Sequence, residues 1–267
     1  MAAKVDLYNA SYGNYDLAVY RDVRIETYGE DFGQTSWVTT EESHEIPRLL
    51  ELTSASNVLE IGSGSGGYAL HLAQTIGCRI LGVDVNKEGI RSASELARAR
   101  NLTAKTSFEE RDASRPLPFT AETFDAVFSN DVFCHLRGRT QILRELFRVL
   151  KPAGRLLFSD ALVIDGFISD EEVATRSLIG HYEFVPRGQD EKLIEQAGFH
   201  LLRSVDTTEN ATRIAKRRYD ARAQRRTELV AVEGETNFLG LQTFLSCVHT
   251  LTSERRLLRF LYVARKP

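Results

Sequence analysis

Cysteine is scarce in this sequence: Cys78, Cys134 and Cys247 are its only three in 267 residues, and no two form a C-x-x-C pair. An odd number at wide spacing disfavours a disulfide framework or a zinc site, so no metal is expected. No stretch approaches the roughly 18 apolar residues that a membrane helix needs. The opening residues, MAAKVDLYNA, lack the basic start and apolar run of a secretory signal. Together these absences lead to the expectation of a cytoplasmic protein with no membrane partner. Charge of one sign is also lacking, with 34 lysines and arginines against 37 aspartates and glutamates. A net charge of −3 exerts no global attraction on nucleic acid, so such a partner would need a local patch. There is no internal repeat and no low-complexity tract.

What is present suits a folded chain: 42% hydrophobic and 27% charged residues can bury a substantial core. The segments alternate as in a parallel sheet with helices on both faces. Strands are expected at 57–61, 79–85, 106–112, 124–129 and 155–163, and helices at 68–76, 87–100 and 139–150. Beyond residue 165 the rhythm breaks. Residues 165–188 form an acidic, then aromatic insertion; 190–197 reads as helix, 199–205 as strand, and 210–254 as arginine-rich helix before the apolar run LLRFLYVA at 257–264. The expected class is α/β, with a Rossmann-like doubly wound core.

The stretch NVLEIGSGSGGYALHLAQTIGCRILGVDVN at 57–86 fits two cofactor fingerprints at once. Gly62, Gly64 and Gly67 spell the dinucleotide pattern G-x-G-x-x-G; Glu60, Gly62, Gly64 and Gly66 spell acid-x-G-x-G-x-G. Both use a strand, a tight glycine turn and a helix N-terminus. A nicotinamide dinucleotide would set its pyrophosphate on that helix. S-adenosylmethionine has no phosphate and carries a sulfonium and an ammonium, so Glu60 favours it. Asp84, at the end of the second strand, has the spacing of a ribose-binding carboxylate in either cofactor. Asp112, in ERDAS, discriminates, because an acid there accepts the adenine amino group.

EIGSGSGG, GVDVN, ERDAS, FDAVFSND and LKPAGRLLFSD, in this order, resemble the class I S-adenosylmethionine-dependent methyltransferases over residues 45–163. The resemblance implies a seven-stranded sheet with an antiparallel last strand, for which LLRFLYVARKP is the candidate. It divides the chain into a helical N-terminal lid (1–50), a cofactor-binding core (51–165), a substrate-side insertion (166–256, with a strand near 199–205) and the final strand (257–267). It also implies that Glu60, Gly62, Ser63, Gly64, Asp84, Val85, Asp112 and Ala113 line the cofactor, with Asn130 near its methionine end. YGEDFGQTSW and NDVFCHL are further similar to the small-molecule amine branch, which includes phosphoethanolamine and sarcosine or dimethylglycine N-methyltransferases. By that likeness Gln34, Thr35 and Ser36 touch the cofactor carboxylate. Where phosphobase enzymes hold their phosphate, this sequence has Ala161, Gly180 and His249, with only Tyr182 retained. An unphosphorylated amine or another small nucleophile is therefore expected.

His135, four residues beyond Asp131, is the candidate general base, because histidine has the right unperturbed pKa. Its activity should then fall on acidification through a pKa near the reference value of about 6.5. The competing reading is a helix-capping or core histidine. The N-terminal segment is rich in tyrosine (Tyr8, Tyr12, Tyr15, Tyr20 and Tyr28) and is followed by Trp37; such rings hold cationic amines by cation–π contact or simply pack a lid. Tyr15 is the candidate active-site ring, with Tyr20, Trp37, Asp131, Tyr182 and His249 as candidate acceptor-binding residues. Two other functions stay open. Arg213, Lys216, Arg217, Arg218, Arg222, Arg225 and Arg226 could dock RNA, giving a nucleic-acid-directed methyltransferase, although SNDVF replaces the N/D-P-P-aromatic motif of base-amino enzymes and acids nearby suggest a solvated face. The glycine pattern alone also fits an NAD(P)-dependent oxidoreductase.

Overall fold

The structure, a computed structural model, describes residues 5–267; the first four residues of the expected lid lie outside the described residues. Three helices precede the sheet: α1 (Tyr8–Gly13), α2 (Ala18–Tyr28) and α3 (Thr40–Leu49). Thr39 starts α3 by accepting a hydrogen bond from the Glu42 amide at 3.3 Å, and Ile46 and Leu49 turn its apolar face inward. The core then alternates β1 (Asn57–Ile61), α4 (Gly67–Thr75), β2 (Arg79–Asp84), α5 (Lys87–Ala99), β3 (Thr106–Glu110), β4 (Phe124–Ser129), a 3-10 turn (Phe133–His135), α6 (Arg139–Val149) and β5 (Leu150–Ile164). After these come α7 (Asp170–Arg176), β6 (Val185–Pro186), α8 (Gln189–Gln196), β7 (His200–Asp206), α9 (Thr208–Gln224), α10 (Arg226–Glu233), α11 (Glu235–Ser253) and β8 (Leu257–Arg265).

The strands form one sheet in the order β3-β2-β1-β4-β5-β8-β7. The first five are parallel, while β8 runs antiparallel between β5 and β7. Seven strands were expected; the structure adds an eighth, the two-residue β6 paired to the end of β5. Strand order reverses between β1 and β4, so the carboxyl ends of these neighbours open the crevice where ligands of such sheets bind. In β1, Val58 to Ile61 are all buried, as expected of a parallel strand covered on both faces.

Two boundaries differ from the sequence reading. β5 begins at Leu150 because the Lys151–Gly154 stretch bulges within the strand: pairing passes from Phe124–Leu150 to Ala126–Arg155, with Ala153 at φ +63°. The arginine-rich tract is three helices, and α9 and α11 pack with Leu7, Tyr28 and Trp37 into a shared apolar cluster. The N-terminal aromatics are therefore part of a core.

Two buried ion clusters tie these layers together. Arg259 on β8 is fully buried; its Nε donates to Asp131 at 2.8 Å, and its Nη1 donates to Glu42 on α3 at 2.9 Å and to Thr207 at 2.7 Å. Arg139 on α6 meets Asp190 at 2.8 Å and Asp160 on β5 at 2.5 Å. Removing one partner of a buried pair costs about 3–5 kcal/mol because the other charge is stranded. Arg259→Ala is accordingly expected to lose stability of that order in urea unfolding. The triple variant Arg259→Met, Asp131→Asn, Glu42→Gln, which strands no charge, should lose much less.

Candidate active site

The crevice is built by the turn after β1. Gly62 and Ser63 donate their amides to the Val83 carbonyl at 2.8 and 3.1 Å, folding the loop over β2. Gly62 has φ +78°, and a Cβ there would lie 2.2 Å from Val132, so only glycine fits. Asp84 holds the loop from the other side: its two carboxylate oxygens accept from the Gly64 and Asn86 amides, each at 2.8 Å. Each oxygen retains a lone pair for a further donor.

Three buried side-chain oxygens around this turn have no hydrogen-bond partner: Glu60 Oε2, Ser63 Oγ and Asn130 Oδ1. Buried polar groups are normally satisfied, so these mark where a ligand's donors belong. Burial, and then the charge of Asp84, raise the Glu60 carboxyl well above the usual carboxylate range. Among the described residues neither acid faces a cation, which makes the crevice electrostatically complementary to a positively charged ligand. Val85, next to Asp84, is an apolar side chain 62% exposed. Asp112 is also exposed; it accepts from the Ser114 amide at 2.9 Å and lies 3.4 Å from Arg115, while Ala113 behind it is buried.

The segment expected to touch a carboxylate is bound largely to its own turns. Gln34 accepts from the Phe32 amide at 2.7 Å and donates to the Glu30 carbonyl at 2.9 Å. Thr35 Oγ1 meets the Tyr12 hydroxyl at 3.1 Å, and the Ser36 carbonyl accepts from Tyr28 at 2.7 Å. Gly33 packs on the glycine loop, its carbonyl accepting from Ser65 Oγ at 3.3 Å. Beside it a narrow cleft of about 20 Å³ lies between α2 and α9, lined by Tyr28, Gln34, Thr35 and Arg218 among others.

On the far side of Asn130, His135 ends the 3-10 turn with both ring nitrogens engaged. Nδ1 donates to the His181 carbonyl at 2.9 Å, which leaves Nε2 to accept from the Tyr8 hydroxyl at 2.8 Å. The Tyr182 ring stands 4.4 Å from the imidazole. Burial, reinforced by the charge of Arg176, pushes the His135 pKa down to about 4, against the opposing pull of the His181 carbonyl and Asp131. The expected acid limb near 6.5 is thereby corrected: this imidazole is neutral through the whole neutral range.

The ring that meets His135 is Tyr8, not Tyr15. Tyr15 packs under Arg24, whose guanidinium carbon is 4.5 Å from its centroid, and against Gly33. The signal for Tyr8 was helical spacing: Tyr8 and Tyr12 are four apart on α1 and share a face, with centroids 6.1 Å apart. The other candidates for acceptor contact also have partners. Tyr20 donates to Glu233 at 2.8 Å. Trp37 is buried against Phe244, and its amide donates to Asp131 at 2.7 Å. Asp131, at φ +57°, also accepts from Ser159 and Arg259, so its carboxylate is held within the protein. His249 lies half-buried on α11, away from any hydrogen bond to its ring among the described residues. Along α9 and α10, Arg213, Lys216, Arg222, Arg225 and Arg226 each face an acid. Their charge is answered locally.

A parallel sheet that reverses between β1 and β4, carries acids at the ends of β1 and β2 and closes with an antiparallel strand has the Rossmann-like fold of the class I S-adenosylmethionine-dependent methyltransferases. Residues 59–158 match the family described as "Methyltransferase domain". The chain is 30% identical over 205 residues to phosphoethanolamine N-methyltransferase 1 of Triticum aestivum, covering 76% of this chain but 40% of that enzyme. It is 32% identical over 168 residues to the erythromycin 3''-O-methyltransferase of Saccharopolyspora erythraea, 59% of this chain and 55% of the relative. It thus spans about half the length of these relatives. Phosphoethanolamine N-methyltransferase 2 of Haemonchus contortus, solved with phosphomonomethylethanolamine and S-adenosylhomocysteine, superposes with a TM-score of 0.81 at 21% identity, over 96% of this chain and 60% of that one. At that identity the likeness is one of fold.

The buried imidazole makes a stability prediction. The folded-state pKa of about 4 lies below the unfolded value of about 6.5, so between those values the unfolded chain binds a proton that the folded chain refuses. The associated stability is complete above pH 6.5 and declines as pH falls toward 4. At 1.36 kcal/mol per unit the difference is at most about 3 kcal/mol, less what solvent contact screens. His135→Gln should show a shallower loss of urea midpoint between pH 7 and pH 4.5 than the native chain. An identical loss in both would mean that His135 titrates normally.

Proposed function

We propose that this chain binds S-adenosylmethionine in the β1–β4 crevice and transfers its methyl group to a small-molecule acceptor, an amine in the first instance. The observation that carries the reading is the set of uncompensated acceptors, Glu60, Ser63 and Asn130 beside Asp84, placed next to a neutral tyrosine–histidine pair. A pyrophosphate would meet the Asp84 carboxylate and be repelled, whereas a sulfonium with an ammonium would be attracted to it and to the uncompensated acceptors around it. The residues suit the cofactor's parts: Asp84 for the ribose hydroxyls, Val85 as an apolar face for adenine, Asp112 for its amino group, and Glu60 with Asn130 for the methionine ammonium. When bound, the cofactor supplies an electrophilic methyl on a positively charged sulfur.

The protein's own work is positioning and proton removal. Holding the reactants in line supplies on the order of 7–11 kcal/mol in well-oriented reactions. Tyr8 is the group that reaches the acceptor: its hydroxyl takes the nucleophile's proton while passing its own to His135 Nε2. The His181 carbonyl fixes the tautomer that leaves that lone pair free. The two relatives' names divide between nitrogen and oxygen acceptors; the aromatic walls supplied by Tyr8 and Tyr182 favour the amine.

Calorimetry with S-adenosylmethionine and, separately, NADH tests the cofactor, and release of S-adenosylhomocysteine across small amines, phenols and thiols tests the transfer. Tyr8→Phe and His135→Ala should each lower kcat by about 10² to 10⁴ with cofactor affinity little changed. Glu60→Gln should instead weaken the cofactor. Binding of NADH but not of S-adenosylmethionine would overturn the reading, and unchanged kcat in both base variants would remove the relay from it.

A further inference from the structure

Four arginines in this protein are 2% exposed or less: Arg139, Arg176, Arg222 and Arg259. Three of them face carboxylates: Arg139 meets Asp160 and Asp190, Arg222 meets Glu233, and Arg259 meets Asp131 and Glu42. Arg176, in the last turn of α7, enters no ion pair among the described residues, and its Nε and Nη1 have no hydrogen-bond partner. A buried charge without a partner is expensive. It persists where something outside the resting chain answers it.

Its surroundings say where that something sits. The guanidinium carbon lies 4.8 Å from the Tyr182 ring centroid and 4.9 Å from that of Phe244. Tyr182 also neighbours the His135 imidazole, 4.4 Å between ring centroids. Phe244 in turn packs on Trp37, 6.1 Å between centroids. The guanidinium is thus about one aromatic ring from the tyrosine–histidine pair, stacked on aromatic faces, with its Nε and Nη1 hydrogens unanswered among the described residues. It is not where the phosphobase resemblance points, since Ala161, Gly180 and His249 occupy those places.

We propose that Arg176 anchors an anionic group, a carboxylate or a phosphate, carried by the methyl acceptor, which makes the acceptor a small molecule with an oxyanion close to its nucleophile. The inference rests on the methyltransferase reading for the nucleophile but not for the anion. Guanidinium bonds to carboxylate and phosphate oxygens are charge-assisted and among the strong ones. A site built around such a donor rejects analogues that lack the matching acceptor.

The test has a binding arm and a turnover arm. In the binding arm, inorganic phosphate and acetate are titrated into the native chain while the His135 imidazole is followed by NMR. Because Arg176's charge opposes protonation of that ring, an anion seated on Arg176 should move its titration upward. The shift should vanish in Arg176→Met and persist in part in Arg176→Lys. In the turnover arm, phosphoethanolamine, sarcosine and ethanolamine are compared as acceptors. The anionic acceptor that fits should exceed ethanolamine in kcat/KM by about 10²-fold or more, mostly through KM, and Arg176→Met should erase that preference. Which of the two carries it identifies the anion. Arg176→Met should also raise the melting temperature, because it removes an unpaired buried charge while keeping the apolar stack. A lower melting temperature would show a structural arginine and overturn the proposal. So would an imidazole indifferent to both anions. If no acceptor turns over and S-adenosylmethionine does not bind, the methyltransferase reading fails, and the anion titration alone still decides Arg176.

Discussion

The Arg259 guanidinium is the constraint on which the site geometry depends. It stands on β8, yet it bonds helix α3 through Glu42, the end of β4 through Asp131, and the β7–α9 junction through Thr207. Asp131 is the hinge of this arrangement, because it also receives the Trp37 amide and the Ser159 hydroxyl. Asn130 immediately precedes Asp131 after β4, and His135 ends the 3-10 turn that follows it. The crevice and the tyrosine–histidine pair are therefore set at a fixed separation by a group that need not touch any ligand.

Around this anchor, charge is distributed asymmetrically. At the ends of β1 and β2, Glu60 and Asp84 stand without a cation. Beyond His135, Arg176 stands without an anion. Between them the tyrosine–histidine pair is uncharged: burial holds the phenol of Tyr8 well above its ordinary value and His135 well below its own. The resting chain tolerates this separation because the surrounding apolar clusters hold each group in place. A cationic cofactor on one side and an oxyanion-bearing acceptor on the other would neutralise both ends and present nucleophile to electrophile across the neutral pair. Low local dielectric makes each of those neutralisations stronger than it would be in water.

The alternatives in the sequence come down to the same electrostatics. A dinucleotide shares the glycine turn, but its pyrophosphate would stand beside Asp84, which faces no cation among the described residues. The arginines of α9 and α10 that suggested an RNA surface are mostly matched with nearby acids, and Arg222 faces inward onto Glu233 rather than outward. Of the four most buried arginines, the one with no ion pair among the described residues is instead on α7, in a segment that the sequence marks only as an acidic, then aromatic insertion.

The sequence alone determined the core. Its strand and helix alternation, the glycine turn and the acids at 60 and 84 lie within a single stretch, where local spacing fixes geometry: a strand, a turn and a helix N-terminus leave few arrangements for the residues between them. The last strand showed in composition as an isolated apolar run after the helices, but its antiparallel direction was implied only by the family resemblance. The identity of the acceptor side was decided by tertiary structure. Tyr8 meets His135 across 127 positions, and Asp131 meets Arg259 across 128; no spacing rule reaches so far. Among five N-terminal tyrosines the sequence reading favours Tyr15, whereas the docking of α1 brings Tyr8 to His135. The sequence showed many arginines, and only the packing revealed that Arg176 is fully buried with no carboxylate against it among the described residues. A residue's chemistry is written in the chain, but its pKa, its hydrogen-bond partners and its freedom to bind depend on what packing brings against it.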